Sequence, residues 1–309
     1  MSESVDIVST CTLMTESYFS NGFLTRLSEN KSGIADETAP RISVVMPSFN
    51  QGPFIEKSIL SVLNQQYTNI ELIIVDGGSE DETIDIIRRY EGPKCKLIME
   101  DDEGQSDALN KGFAAATGDI YGWLNSDDLY VPHAFETASK ILKGRGGPEI
   151  VFGDWLSVDS SDNVIDLHYA FDFCINHLIY EGFTLNAQAM FWSADVHKDF
   201  RGFYIDLHNT MDYQMMLDFG LRKSNAFCRV PVVLGAFRRY EGQKTTALSP
   251  RVVDEHKKIS KRYAIRRKYS STGSFIRLVF RFRRLRWYFL RGGLTELVKR
   301  VSEAFRNRA

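Results

Sequence analysis

The first half of the chain alternates between short continuous apolar runs and apolar residues at helical spacing. "RISVVMPSFN" (41–50) is a β-branched run closed by Pro47 and reads as a strand ending in a loop. "PFIEKSILSVLNQQ" opens on Pro53, a residue favoured in a first helical turn, and its Ile55, Ile59, Val62 and Leu63 fall on one helical face. "ELIIVDGG" (71–78) is a second strand stopped by glycines. In "SEDE" (79–82), Ser79 and Glu82 stand at capping-box spacing and predict a helix carrying Ile84 and Ile87. "KLIME" (96–100) is a third strand, and "GQSDALNKGFAAATG" (104–118) a helix with Gly118 as its C-cap. "DIYGWL" (119–124) is a fourth strand, which runs into "NSDD" (125–128).

Strands that read as unbroken apolar runs are buried on both faces. Their alternation with helices predicts an α/β fold, a mostly parallel sheet flanked by helices. Ligands in such sheets bind beyond the carboxyl ends of the strands. Pro47, Ser48, Asn50, Asp76, Asp101, Asp102, Asn125, Asp127 and Asp128 all fall on that edge. An adjacent pair of aspartates after a buried strand reads first as a polar turn. Its place on the ligand edge gives it a second reading, a site for a cation.

Residues 1–40 show no sustained period and read as an N-terminal extension. The catalytic unit is expected over 41–249, as a nucleotide-binding half (41–130) and an acceptor half (131–249), with a basic helical tail over 250–309. No apolar run reaches the roughly 20 residues of a spanning helix. The first residues lack the basic-then-apolar order of a secretory signal. Four scattered cysteines show neither metal-ligand spacing nor a disulfide framework, which fits a reducing, cytoplasmic setting. The net charge of −2 hides an asymmetry: from Lys257 onward there are 17 Lys+Arg against Glu296 and Glu303 alone. The tail is thus expected to meet something anionic.

The segments "VVMPSFNQGPFIEKSILSVLNQQYTNIELIIVDGGSEDET" and "EDDEGQSDALNKGFAAATGDIYGWLNSDD" together resemble the family-2 glycosyltransferases of GT-A fold. The resemblance runs from about Arg41 to about Thr246 and rests on several motifs in order. It implies that Pro47, Ser48 and Asn50 border a nucleotide and that Asp76 hydrogen-bonds its base, usually uracil. It equates "NSD" (125–127) with the family's Asp-x-Asp motif: Asn125 and Ser126 near the ribose, and Asp127 holding Mn²⁺ or Mg²⁺ on the diphosphate, with Asp128 either reaching the ion through water or only bracing the loop. The first Asp of the motif is Asn125 here, which puts that residue in doubt as a metal ligand while keeping an amide for a ribose hydroxyl.

Further along, "LNAQAMFW" (185–192) resembles the family's acceptor-side strand, with Gln188 facing the sugar. "NTMDYQMMLDFG" (209–220) resembles the helix whose first turn carries the catalytic carboxylate, here Asp212, and Met211, Met215, Met216 and Phe219 read as plain core. The bland alternative for Asp212 is an acid at a helix N-terminus. Asp206 and Asp218 are weaker candidates for the base. "LGAFRRYEGQKTT" (234–246) resembles the closing loop, in which Arg238, Lys244 and Thr245 would reach the donor phosphates. Lys111 is a further candidate for the nucleotide, set against a role on the helix surface.

In the tail, Arg277, Arg281, Arg284 and Arg291 share one helical face. The two readings are a helix packed on the body with arginines in water, and an interfacial helix on an anionic membrane. No motif supports nucleic acid. The chain is therefore expected to be an inverting, metal-dependent glycosyltransferase that moves a sugar from a nucleotide-sugar, UDP-linked by the resemblance, to a saccharide or lipid-linked saccharide of a cell-surface polysaccharide. It would work in the cytoplasm, peripherally on the inner membrane face. The alternatives are a non-catalytic nucleotide-sugar binder with a membrane tail, and a sugar-1-phosphate nucleotidyltransferase, which would need a glycine-rich basic loop where "PSFNQGPF" stands.

Overall fold

The computed structural model describes residues 39–143, 146–182, 185–244, 250–265 and 271–306. The proposed extension 1–40 thus lies almost wholly outside the described residues, as does Thr245.

The expected alternation forms as read: β1 (Ile42–Ser48), α1 (Gly52–Leu63), β2 (Ile70–Asp76), α2 (Thr83–Arg88), β3 (Cys95–Met99), α3 (Gln105–Ala115) and β4 (Ile120–Trp123). These four strands are parallel, in the order β3-β2-β1-β4. The direction of winding therefore reverses between β1 and β4, which opens a crevice at their carboxyl ends. Register pairs Ser48 with Asp76 and Asp76 with Met99, so the loops after these strands emerge level with one another.

Alternate residues of β1 serve opposite faces. Ile42, Val44 and Met46 pack with Ile55, Ile59 and Val62 of α1, whereas Val45 packs with Leu109 and Phe113 of α3. Each such buried aliphatic side chain contributes about 1.5–3 kcal/mol relative to exposure.

Beyond β4 the sheet turns mixed. β5 (Leu129–Tyr130) and α4 (Ala134–Leu142) lead into β6 (Ile150–Val158), β7 (Val164–His168) and α5 (Ile175–Tyr180). β8 (Met190–Ser193) and α6 (Ala194–Lys198) precede α7 (Met211–Lys223) and β9 (Phe227–Arg238). β8 pairs antiparallel with both β4 and β6, and β6 pairs parallel with β9. Met211, Met215, Met216 and Phe219 are core, as the sequence suggested.

Local expectations fail in three places. Ser79 does not cap a helix: α2 starts at Thr83, whose amide is held by Asp81 Oδ1 at 3.0 Å. The Ser79 hydroxyl donates instead to Asp76 at 2.8 Å, since an ionised carboxylate is the stronger acceptor. Gly118 is no C-cap, because α3 ends at Ala115 and Ala116 is already extended. Gly118 is needed for close approach: a Cβ there would stand 2.5 Å from Ser43 Oγ and 2.7 Å from the Arg41 carbonyl. Finally, residues 234–238 are not loop but the end of β9, and the loop begins at Arg239.

The tail forms α8 (Pro250–Arg262) and α9 (Ser271–Arg306), the latter broken at Gly293, whose φ is 68°. The arginine face expected to meet a membrane is turned inward. Arg281 and Arg284 reach Glu181 Oε1 at 3.0 and 3.6 Å, and Arg291 reaches Asp154 at 3.3 Å. Lys299 and Arg300 both pair with Asp166, Arg300 at 2.6 Å. These carboxylates are nearly buried, and an uncompensated buried charge costs several kcal/mol, so the body's own acids are a strong partner for the basic tail. Among the described residues no helix is long and apolar enough to cross a membrane.

Candidate active site

A cavity of about 560 Å³ opens at the carboxyl edge, where the winding of the sheet reverses. Pro47 and Ser48 come to it from β1, Gly77 from the loop after β2, Asp102 and Gln105 from the entry to α3, and Asn125, Ser126 and Asp127 from the loop after β4. Tyr240, Gln243 and Lys244 close it from the loop after β9. The Ser48 hydroxyl is buried at this wall without a hydrogen-bond partner among the described residues, an unusual cost for a polar atom unless a ligand supplies the partner.

The "NSDD" turn divides its labour. Asp127 faces the cavity, and its Oδ2 accepts from the Tyr240 hydroxyl at 3.0 Å. Burial pushes its carboxyl above the usual range, against the favourable pull of Tyr240 and of the Arg238 guanidinium. Asp128, read as either a water-linked metal ligand or a brace of the loop, is 0% exposed and does not line the cavity. Its Oδ1 accepts from the Arg238 amide and its Oδ2 from Asn125 Nδ2, each at 2.9 Å, so it braces the turn. Burial, and then the charge of Asp127, hold its carboxyl well above the ordinary range.

Asn125 is oriented by chemistry. Its Oδ1 accepts from Trp123 Nε1 and from Gln105 Nε2, each at 2.8 Å, and an indole can only donate. The amide nitrogen must therefore face Asp128, which leaves one N–H for a ligand at the cavity wall. This accounts for the departure from Asp-x-Asp: an aspartate here would set a second carboxylate against buried Asp128 at 2.9 Å. We expect Asn125→Asp to destabilise the protein by about 1–3 kcal/mol, the cost of an unsatisfied buried polar group. The loss deepens as pH rises, because the facing carboxyls must shed their shared proton. Urea midpoints at acidic and alkaline pH check this; equal midpoints for mutant and wild type would refute it.

Arg238 does not reach toward a donor. Its side chain is 0% exposed and lies 4.9 Å over the Phe54 ring. It pairs with Asp162 and donates to the carbonyls of Asp127 and Asp159 at 2.8 and 3.0 Å. A guanidinium so committed has become a strut under the turn. Asp76 and Asn50 likewise stand behind the wall. Asp76 accepts from the amides of Gly78 and Ser79 and from the Ser79 hydroxyl. Asn50 Oδ1 accepts from the Glu80 amide at 2.9 Å. Both shape the loops and neither lines the cavity. Lys111 sits off the cavity, tied to Asp107 at 3.1 Å and to the Asp101 carbonyl at 2.6 Å. Lys244 lines the cavity and donates to Gln105 Oε1 at 3.2 Å.

Asp212 is not among the residues that line the cavity, although its carboxylate feels the charge of Lys244, which does; it occupies the first turn of α7, where its Oδ1 accepts from the Tyr213 amide at 2.7 Å. The residue keeps partial exposure, yet desolvation pushes its carboxyl up to about 6, tempered by the charge of Lys244. The rival acids are spent elsewhere. Asp206 is paired twice with Arg262, at 2.8 and 2.9 Å, and buried Asp218 holds Arg222 and Tyr263. Gln188, expected to face the sugar, sits in a 3₁₀ turn (Ala187–Ala189) rather than in the strand and is buried outside the cavity lining.

Three residues that sequence reasoning left without a role belong to the site. Tyr240 bonds Asp127. Asp102 fills the space above Gly77, where a Cβ would stand 2.5 Å from its Oδ2. Glu255 of α8 accepts from the amides of His208 and Asn209, each at 3.0 Å, and from the Thr210 hydroxyl at 2.9 Å. It thereby fixes the loop that delivers Asp212, so the first tail helix serves the catalytic unit. Only position on the strand edge pointed to Asp102, and nothing in the sequence pointed to Glu255.

The family model described as "Glycosyl transferase family 2" matches residues 43–211. An uncharacterized glycosyltransferase of Nostoc is 36% identical over 106 residues, 33% of this chain and 33% of that protein. The chain thus spans about a third of the length of such curated relatives. Among solved structures, S. aureus TarS 1–349 in complex with UDP-GlcNAc superposes with a TM-score of 0.63 at 17% identity, covering 83% of this chain and 77% of that one. A mannosyltransferase from Pyrobaculum calidifontis in complex with GDP-Man and Mn²⁺ gives 0.52 at 16% identity, covering 98% and 91%. These likenesses show the fold, a GT-A type sheet with a C-terminal helical extension.

Proposed function

We infer the reaction from one premise: the chain belongs to glycosyl transferase family 2. We propose that it transfers a sugar from a nucleotide-sugar, UDP-linked, to a hydroxyl of a saccharide or lipid-linked saccharide in cell-surface polysaccharide assembly, peripherally on the inner membrane face. The observation that carries this reading is the cavity at the carboxyl edge, which sets a desolvated carboxylate, Asp127, and a hydroxyl unpartnered among the described residues, Ser48, on its wall.

That donor set fits a hard divalent cation such as Mn²⁺ or Mg²⁺, which takes one or two protein carboxylates and draws its other oxygens from the diphosphate. Among the described residues no three acidic, His or Cys side chains cluster, so Asp127 would be the main protein ligand. Such an ion, when bound, neutralises charge on a departing diphosphate.

The chain's own residues supply the rest. Ser48, the free N–H of Asn125 and Lys244 offer donors to the nucleotide, with Asp76, Asn50 and Arg238 holding their loops in place. Asp212 takes the proton of the acceptor hydroxyl as that oxygen forms its bond to the anomeric carbon. The bond from that carbon to the diphosphate oxygen breaks, its electron pair leaves with the nucleoside diphosphate, and the anomeric centre inverts.

The test is a panel of nucleotide-sugars scored for thermal shift and for release of nucleoside diphosphate with and without Mn²⁺. Metal-dependent turnover of one donor, UDP-linked, is the expected result. Binding without turnover in the presence of membrane extract would instead favour a non-catalytic binder.

A further inference from the structure

With Arg281, Arg284 and Arg291 turned to the body, α9 presents the opposite face outward. At 3.6 residues per turn, Phe275, Leu278, Val279, Phe282, Phe289 and Leu290 fall within one arc of about 120°. All are exposed, Phe275 by 68%, Phe282 by 64% and Leu290 by 63%. The docked side chains Arg281, Arg284 and Arg291 occupy the other side, held by Glu181 and Asp154, so the outward arc is set by ion pairs and does not depend on a free rotation of the helix.

The arc also carries charge of one sign. Arg286 lies within it and Arg283 at its edge, both exposed, while residues 271–292 contain no Asp or Glu. We propose that this face of α9 is a membrane-binding surface, with the aromatic and aliphatic side chains entering the interface and Arg283 and Arg286 meeting lipid phosphates. Charge decides between a bilayer and a second copy of the chain. Self-association over this face would bury Arg286 against a stripe that offers no carboxylate, a costly arrangement. Anionic headgroups supply the missing partner, and a long arginine stem lets the guanidinium rise to them from an apolar bed.

The acids that hold α9, at Asp154, Asp166 and Glu181, all belong to segment 131–249. A bilayer on the outer face of α9 therefore lies alongside that segment rather than the nucleotide-binding strands. This deepens the reading of a lipid-linked acceptor and rests on it only for the acceptor's identity.

The test uses the full chain with vesicles of phosphatidylglycerol in phosphatidylcholine, and with phosphatidylcholine alone. The wild type is expected to sediment with the anionic vesicles. A double variant, Phe282→Glu with Leu290→Glu, should lower the bound fraction at least about tenfold, as loss of buried apolar groups from an interface demands. Arg286→Glu should weaken binding to anionic vesicles more than to neutral ones. Both variants alter exposed positions, and unchanged melting temperature and donor hydrolysis in solution would show that they fold. A wild-type chain that ignores anionic vesicles at low salt, or a double variant that binds like wild type, overturns the proposal. So does sedimentation velocity that shows a lipid-free dimer reduced to monomer by Phe282→Glu, which would give the face to a second copy. Failure to hydrolyse any nucleotide-sugar would sink the catalytic reading and leave the surface standing.

Discussion

Asp127→Asn is expected to lower metal-dependent turnover of the donor by about 1,000-fold or more and to abolish the Mn²⁺-dependent part of nucleotide diphosphate binding. The change preserves shape and keeps an acceptor for the Tyr240 hydroxyl, now 3.0 Å from Asp127 Oδ2. What it removes is the negative charge on the cavity wall. A cation that neutralises a leaving diphosphate is worth several kcal/mol in the transition state, and every 1.36 kcal/mol is tenfold in rate. The folded state should not suffer, because Asp127 is held above the usual carboxylate range by burial and its charge in turn disfavours ionisation of Asp128. Calorimetry of UDP binding with and without Mn²⁺, beside a rate assay and a melting curve, separates these effects. A variant of full activity, or a wild type that is fully active in excess chelator, would remove Asp127 from the role of metal ligand. Asp128→Asn is the contrasting case. That side chain lies in the interior against Arg238 and Asn125, so its loss should appear first in the melting curve.

The difference between these neighbours shows what the sequence could tell. The unbroken apolar run of β1, buried along its whole length, and the helical spacing on α1 are written directly in the order of apolar residues, so the parallel strands and their carboxyl edge were legible. So was the neighbourhood of the cavity: Pro47, Ser48, Asn125, Ser126, Asp127 and Lys244 all line it. The direction of each side chain was not legible. Asp127 and Asp128 are adjacent in sequence, but one faces the cavity and the other the interior, and the residues that decide this, Arg238 and Tyr240, come from the end of β9 and the loop after it, more than 100 positions later. Arg238 itself looked like a phosphate ligand because its partner Asp162 sits in a segment without a readable pattern. The tail was legible only in part, for a related reason. An excess of arginine predicts an anionic partner, but composition does not distinguish a lipid phosphate from Glu181, Asp154 and Asp166 on the same chain. The local capping signals at Ser79 and Gly118 failed because tertiary neighbours, the Asp76 carboxylate and the β1 backbone, claimed those positions.

Asp212→Asn should keep donor affinity and cut turnover by at least about 100-fold, the lower range for loss of a general base. The pH profile carries the sharper expectation. Burial pushes the Asp212 carboxyl up to about 6, and only the ionised form can accept the proton of an incoming hydroxyl. The kcat/KM of the wild type should therefore rise about tenfold per pH unit below this value and level off above it. Removing the charge of Lys244, which favours the ionised form, should move the inflection further up. The same shift has a consequence for folding. The folded protein retains a proton on Asp212 at pH values where the unfolded chain has lost it, so this group's contribution to stability declines as pH rises from about 4 to about 6. Asn at 212 carries no such proton, and its stability relative to wild type should improve across that same window. Glu255→Gln tests whether the loop, as well as the base, matters: it keeps the size of the group that holds His208, Asn209 and Thr210 but weakens its hydrogen bonds. It should lower kcat and, because the Glu255 charge helps hold the Asp212 carboxyl up, move the inflection slightly down without abolishing the ascending limb, as expected of a positioning residue. If instead the Asp212→Asn enzyme retains the ascending limb, the titrating base is another group, and α7 carries its first-turn acid for the helix alone.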